Sequence, residues 1–198
     1  MLDIKVPTPT HAFAANTYVI SSNGEYAVID PTVPYDSLGI SGRVKYIFLT
    51  HGHFDHMLEI DDWVRKTSAT VLIGEKDMPA LADSHINCYY AFSGIDKGYH
   101  GDATPVKEGD VFRLGDEIIT VMECPGHTIG SVTLLCDGKA FVGDTVFAGG
   151  GFGRCDLPTG DFSELRRSIF KILALPLDTV LYPGHGGTTK VKEYKVYR

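Results

Sequence analysis

Residues 50 to 56 read Thr-His-Gly-His-Phe-Asp-His and place three of the chain's eight histidines, with one aspartate, inside a single short stretch. Neutral imidazole and carboxylate are the donors that zinc, iron and manganese prefer, and a surface loop has no folding reason to collect them. Three further stretches set one such donor beside glycine, each after an apolar run: Pro125-Gly126-His127-Thr128, Gly143-Asp144-Thr145 and Pro183-Gly184-His185-Gly186. Glycine and proline there suit tight turns that aim one side chain while keeping backbone out of its way. Taken singly, a histidine after a strand is more often a hydrogen-bonded structural residue, and an aspartate after glycine a turn former. Taken together, His51, His53, Asp55, His56, His127, Asp144 and His185 supply the nitrogen and oxygen donors that two adjacent cations need when one carboxylate bridges them.

The elements that must position these donors are short and β-rich. Residues 17–21 and 26–30 flank Ser22-Asn23-Gly24-Glu25, whose Asn-Gly pair signals a β-hairpin. The run 44–49 is almost continuously apolar, as in a strand covered on both faces. The histidine cluster follows its C-terminal end, where α/β sheets place their ligands. Met57, Ile60 and Val64 have helical spacing, with Trp63 packed into the core. Further strands are predicted at 70–73, 111–114, 117–123, 132–135, 140–142 and 179–182, and a short helix at 75–82. Segment 83–105 carries His85, His100, three tyrosines and Gly94, Gly98 and Gly101. It is long for a connection, and we read it as a loop whose two histidines line the substrate pocket. Asp161 and Glu164 form a capping box for a last helix with Phe162, Leu165, Ile169, Ile172 and Leu173 on its apolar face, stopped by Pro176.

The bulk properties bound the partners. With 198 residues, 43% of them hydrophobic, the chain suffices for one well-buried domain over 1–198. A net charge of −7 argues against a nucleic-acid partner, and Lys190, Lys192, Lys195 and Arg198 read as a solvated terminus. No stretch approaches the roughly 20 apolar residues of a membrane span. Asp3, Lys5, Pro7 and Pro9 interrupt any secretory-signal core. Cys88, Cys124, Cys136 and Cys155 form no C-x-x-C pair, so a reduced, cytoplasmic protein acting on a small molecule is expected. Cys124 and Cys155 are expected to pack as small apolar residues. The glycine run 149–153 does not complete G-x-G-x-x-G, because Asp156 occupies the last position, so no dinucleotide site is expected.

On these motifs the sequence resembles the metallo-β-lactamase superfamily, and within it the glyoxalase II-like hydrolases. The signature His-x-His-x-Asp-His is met by His51, His53, Asp55 and His56, and the later motifs by Pro-Gly-His-Thr at 125–128, Gly-Asp at 143–144 and Pro-Gly-His-Gly at 183–186. The resemblance runs from Asn16-Thr17-Tyr18 to His185. It implies an α/β fold, the αβ/βα sandwich in which two mixed β-sheets lie face to face with helices on the outer faces. It places His51, His53 and His127 on one divalent metal ion, Asp55, His56 and His185 on a second, and Asp144 between them. Zinc is the first expectation for both, with iron or manganese as alternatives. Two such cations, typically about 3.5–4 Å apart, acidify a shared water and polarise the carbonyl under attack, with Asp55 or Asp144 carrying the proton.

The implied reaction is hydrolysis of a small thioester or ester, as by a hydroxyacylglutathione hydrolase. True β-lactamases usually lack a histidine where this chain has His56, and flavodiiron proteins carry glutamate in place of His53, which sets both aside. Two enzymatic alternatives stay open: a persulfide dioxygenase holding one iron with His51, His127 and Asp144, and a lactonase. A non-catalytic, metal-stabilised binding protein is disfavoured, since structural zinc sites are closed and often use cysteine. Full-length glyoxalase II enzymes carry a C-terminal helical domain that helps hold glutathione. This chain ends soon after His185, which leaves the thiol half of the substrate open. Gly153-Arg154-Cys155-Asp156 resembles a recurring feature of the group and is read as an Arg154–Asp156 contact. Thr50 and Thr128 are expected to orient ligands.

Overall fold

The computed structural model describes residues 1–194, so Lys195 and Arg198 of the basic terminus lie outside the described residues. Among these residues, twelve strands form two sheets, each ordered as in the sequence. The first holds β1 (Asp3–Lys5), β2 (Tyr18–Ser22), β3 (Glu25–Ile29), β4 (Arg43–Leu49), β5 (Thr70–Gly74) and β6 (Thr104–Val106). It is antiparallel from β1 to β3 and parallel from β3 to β6. The second holds β7 (Val111–Leu114), β8 (Glu117–Glu123), β9 (Val132–Cys136), β10 (Lys139–Gly143), β11 (Val180–Pro183) and β12 (Thr189–Lys190), antiparallel except for β10–β11. The helices are α1 (Ile60–Thr67), α2 (Met78–Ala82), α3 (Tyr89–Ser93) and α4 (Phe162–Leu173).

Period-two alternation sends side chains to three cores. Between the sheets, Tyr18, Ile20, Ile29, Phe48 and Leu72 pack against Leu114, Ile119, Val121, Leu134 and Phe141. On the outer face of the first sheet, Val28, Ile47, Leu49 and Ile73 meet Ile60 and Trp63 of α1. Trp63 is fully buried and its indole N–H donates to Val33 O at 2.8 Å, so a large aromatic is accommodated without an orphaned donor. On the outer face of the second sheet, Ala140, Val142 and Leu181 meet Leu165, Ile169 and Ile172 of α4. This is the αβ/βα sandwich of two mixed sheets with helices outside.

Local chemistry explains where the chain turns. Asn23 (φ 47°) and Gly24 (φ 77°) both occupy the left-handed region that a two-residue hairpin requires, closing β2 on β3 with Ser22 opposite Glu25. The Asp161 carboxylate accepts from Glu164 N at 3.0 Å, a cap worth about 1 kcal/mol. The capping box is only half made: Asp161 N donates to Gly126 O, and Glu164 pairs with Arg167 instead. Ser168, buried in the middle of α4, donates to Pro125 O at 2.7 Å. The helix therefore grips the Pro125-Gly126-His127 turn at two points. Phe162 is exposed, not part of the buried face.

Other expectations are corrected. Residues 83–105 are not one loop, since they contain α3 and begin β6, and the 75–82 helix is a 3-10 turn (Glu75–Asp77) running into α2. Met57 closes the 3-10 turn Phe54–His56, before α1 begins. Strands β1 and β6 escaped the pattern because each is a short edge strand carrying charge or proline, Asp3 and Lys5 in one and Pro105 in the other. Among the described residues, no helix is long and apolar enough to cross a membrane.

Candidate metal centre

All seven donors singled out in the sequence meet at the loops that follow β4, β8, β10 and β11. His51 Nε2, His53 Nδ1 and His127 Nε2 form a triangle with sides of 3.1, 2.9 and 3.2 Å. Asp55, His56 and His185 form a second group, in which His185 Nε2 lies 3.1 Å from Asp55 Oδ2. Asp144 stands between the two. Its Oδ2 is 3.6 Å from His127 Nε2 and 3.6 Å from His185 Nε2, while its Oδ1 is 3.4 Å from His56 Nε2.

A layer of partners fixes the rings. His127 Nδ1 donates to Arg154 O at 2.6 Å, and His56 Nδ1 donates to Asp30 Oδ2 at 2.8 Å. Those bonds place a proton on Nδ1 of each ring and turn Nε2 toward the other donors. Asp30 is buried with φ 53°, and its carboxylate also accepts from Thr50 N and Thr50 Oγ1, each at 2.8 Å. Asp77, equally buried, accepts from Gly52 N (2.9 Å), Gly130 N (2.8 Å) and Thr128 Oγ1 (2.6 Å), tying the first histidine loop to the turn after His127. Thr50 lies 3.2 Å from His51 Nδ1, whereas Thr128 acts through Asp77 and not on a histidine ring.

The electrostatics favour a cation. Burial and the neighbouring rings hold His51 well below its ordinary pKa, and burial with His127 lowers His53 to about 3. Burial also lowers His127. These rings stay neutral at physiological pH, the form in which imidazole ligates metal. Burial opposes charge on His56 too, but Asp30 and Asp144 outweigh it and raise its pKa well above the ordinary value. The same negative charge that retains a proton there attracts a metal. Asp144 is lowered: burial resists ionisation, but His56, His127 and His185 more than offset it.

The residues fit divalent ions on grounds of geometry alone. Three ring nitrogens face one another at hydrogen-bond distance, and at least His127 brings no proton to share, an arrangement that a central cation relieves. Among the described residues, His56 Nε2 and Asp144 Oδ1 are buried and meet only each other, at 3.4 Å and without a formed hydrogen bond, a poorly satisfied state for polar atoms in a protein interior. Gly184 leaves this corner open, since a β-carbon there would overlap Asp144 Oδ1 and come within 2.6 Å of His56 Cε1. No cysteine joins the donor set, which matches a nitrogen- and oxygen-ligated site.

Above the donors opens a cleft of about 410 Å³, floored by His53, Asp55, His127, Asp144 and His185. Segment 83–105 reaches it through Cys88 and Phe92. His85 and His100 do not: both are exposed, and His85 packs on Tyr90 with ring centroids 4.5 Å apart. Aromatic and sulfur side chains carry the lining there, so the two histidines were the wrong signal. Arg154 pairs with Asp156 through two 2.7 Å contacts, the arrangement expected from the sequence. All four cysteines are free, and Cys124 and Cys155 pack in or against the α4 core.

Residues 12–185 match the profile of the metallo-β-lactamase superfamily. The chain belongs to this superfamily. A probable metallo-hydrolase of Bacillus subtilis is 32% identical over 92% of this chain and 90% of its own length. A hydroxyacylglutathione hydrolase of Haemophilus influenzae is 29% identical over 94% and 92%. A β-lactamase hydrolase-like protein of Agrobacterium fabrum is 34% identical over 85% of this chain, which spans only 43% of that relative. Among solved structures, a B3 metallo-β-lactamase superposes with a TM-score of 0.87 at 28% identity, covering 98% of this chain and 95% of the other. A protein crystallised in a di-iron-bound form gives 0.80 at 28% identity, covering 94% of each.

Two carboxylates of this superfamily member were not singled out from its sequence. Asp30 follows β3 and Asp77 sits in a 3-10 turn, positions that aspartate takes in many proteins for turn reasons alone. The only sequence hint is that both stand in otherwise apolar or glycine-flanked surroundings, beside Ile29 and near Gly74.

Proposed function

We propose that the protein is a dinuclear metal-dependent hydrolase that cleaves a small thioester or ester, with His51, His53 and His127 holding one divalent ion, Asp55, His56 and His185 the other, and Asp144 shared. The observation that carries this reading is the pairing of two donor groups across Asp144 at the floor of an open cleft. The second group gives a second ion the donors it needs. The likeness to a hydroxyacylglutathione hydrolase along most of both chains, and to a protein solved with two irons, supports it. Bound there, the two cations would supply Lewis acidity and an acidified water.

The chain's own residues do the rest. Asp30 and Arg154 O hold Nδ1 of His56 and His127, so that both rings turn Nε2 toward the site. Asp144, its side chain 10% exposed, offsets positive charge where water has little access. Asp55 or Asp144, both on the cleft floor, would pass a proton between water and the leaving group. Zinc is the proposed metal, with iron or manganese as the alternatives, and the cytoplasm the proposed compartment.

The test is metal analysis of protein purified without added metal, paired with hydrolysis assays on matched thioester, ester, lactone and β-lactam substrates. The reading expects about two transition-metal ions per chain and preferential thioester or ester turnover. One tightly held iron, unchanged by supplying zinc or manganese, would move the assignment to an iron dioxygenase. Preferential β-lactam turnover would place the protein with the lactamases it superposes on.

A further inference from the structure

The cleft has a second character besides its donors. Phe13 is 67% exposed and Phe92 58%, large apolar surface left open to solvent. They are not scattered: the Phe13 and Phe92 ring centroids are 6.2 Å apart, Phe92 and Phe54 5.3 Å, so three aromatics form a continuous wall. Phe54 lies between His53 and Asp55 in the chain, which roots this wall in the donor loop. Phe147 and Leu157 are also apolar lining residues, and the Phe147 ring is 6.2 Å from that of His185. Single exposed phenylalanines are ordinary, but a contiguous exposed apolar surface marks a contact site.

Charge points the same way. Among the described residues, Arg154 is the one arginine or lysine lining the cleft, and its Nε and Nη2 are both taken by Asp156. Apart from the proposed metal ions, no lysine or second arginine in the lining offers a fixed cation to a carboxylate-rich moiety.

We propose that the Phe13–Phe54–Phe92 wall is a subsite for an uncharged apolar group, alkyl or aryl, carried by the substrate beside its scissile carbonyl. This rests on the hydrolase reading and narrows its substrate to apolar thioesters or esters. The group enters from either the acyl or the thiol side, which the experiment separates.

The first measurement is binding, independent of turnover. Metal-loaded protein is titrated calorimetrically with acetate, butyrate, hexanoate and octanoate. Affinity should rise about three- to fourfold per added methylene. Phe13→Ala and Phe92→Ala, both at exposed positions, should flatten that rise with the melting temperature kept. Affinity independent of chain length, or variants that retain the wild-type rise, overturns the subsite. The second measurement lengthens the alkyl chain on the acyl half and, separately, on the thiol half of a neutral thioester. The half in which kcat/KM climbs is the half that meets the wall. A kcat/KM that climbs with chain length on neither half overturns the proposal. Absence of any thioester or ester turnover, with the carboxylate series still rising, sinks the hydrolase reading and leaves the subsite standing.

Discussion

Asp30 Oδ2 lies 2.8 Å from His56 Nδ1, although the two residues stand in different loops of the first sheet. The contact decides which edge of the imidazole faces the site, and it turns Nε2 toward Asp144. A carboxylate behind a ligating histidine raises its basicity and pins its orientation, and removing such a partner typically weakens metal affinity or activity about 10–100-fold. Asp30→Asn keeps the shape and should lose metal from the Asp55–His56–His185 group first, read by chelator competition. Wild-type retention of metal in that variant would reduce Asp30 to a brace for Thr50.

Asp144 should be the residue the chemistry can least do without. Its position between the two donor groups makes it the single side chain common to both proposed ions. Asp144→Asn removes the negative charge that offsets two dications, and hydrolysis should fall by several orders of magnitude, beyond the roughly 10–100-fold of a supporting residue. His185→Ala should weaken one ion only and leave slow turnover. Both variants are assayed for activity and metal under one metal supply. If Asp144→Asn stayed active while His185→Ala died, the shared role would be wrong.

Gly184→Ala tests the same corner sterically. The added methyl would meet Asp144 Oδ1 and His56, so one of them must move. Metal content should drop while the melting temperature of the chelator-stripped variant stays close to that of stripped wild type. An alanine variant with full metal content would show that the corner has slack.

Chelator-stripped protein should lose stability on mild acidification. The unfolded chain protonates His51, His53 and His127 near their ordinary value of 6.5, whereas burial keeps them neutral in the fold, His53 down to about 3. Unfolding therefore takes up protons below about pH 6.5, and stability falls as pH drops through that window, by at most ~1.4 kcal/mol per pH unit for each ring. His56, raised in the fold, contributes fully below its unfolded value and adds no slope there. Asp55 and Asp144, lowered from an ordinary 3.8, matter only in stronger acid. Urea midpoints between neutrality and about pH 5 check this, and His53→Gln should flatten the dependence by one proton.

Much of this arrangement was legible in the sequence because its signals are local. Asn23-Gly24 dictates its hairpin, and each donor motif sits directly after an apolar strand, so the strand ends and the site were read together. What escaped depends on distant partners. Nothing near Asp30 announces that His56 will face it, and nothing near Asp77 announces Gly130, which lies 53 positions away. Exposure of Phe13 and Phe92 is likewise a tertiary fact, since phenylalanine in a sequence reads as core. Histidines 85 and 100 misled because residue type suggested chemistry while their loop turned them outward.

Each donor group draws on both sheets: His51 and His53 with His127, His51 and His56 with Asp144, and Asp55 and His56 with His185. On the proposed assignment, the ions are rivets driven through two leaves, and neither leaf owns a complete site. The distance between the rivets is then a gauge of how the leaves are docked, which the inter-sheet core sets through residues such as Phe48, Leu134 and Phe141. Repacking that core, far from any reacting atom, would be transmitted to the spacing of the ions.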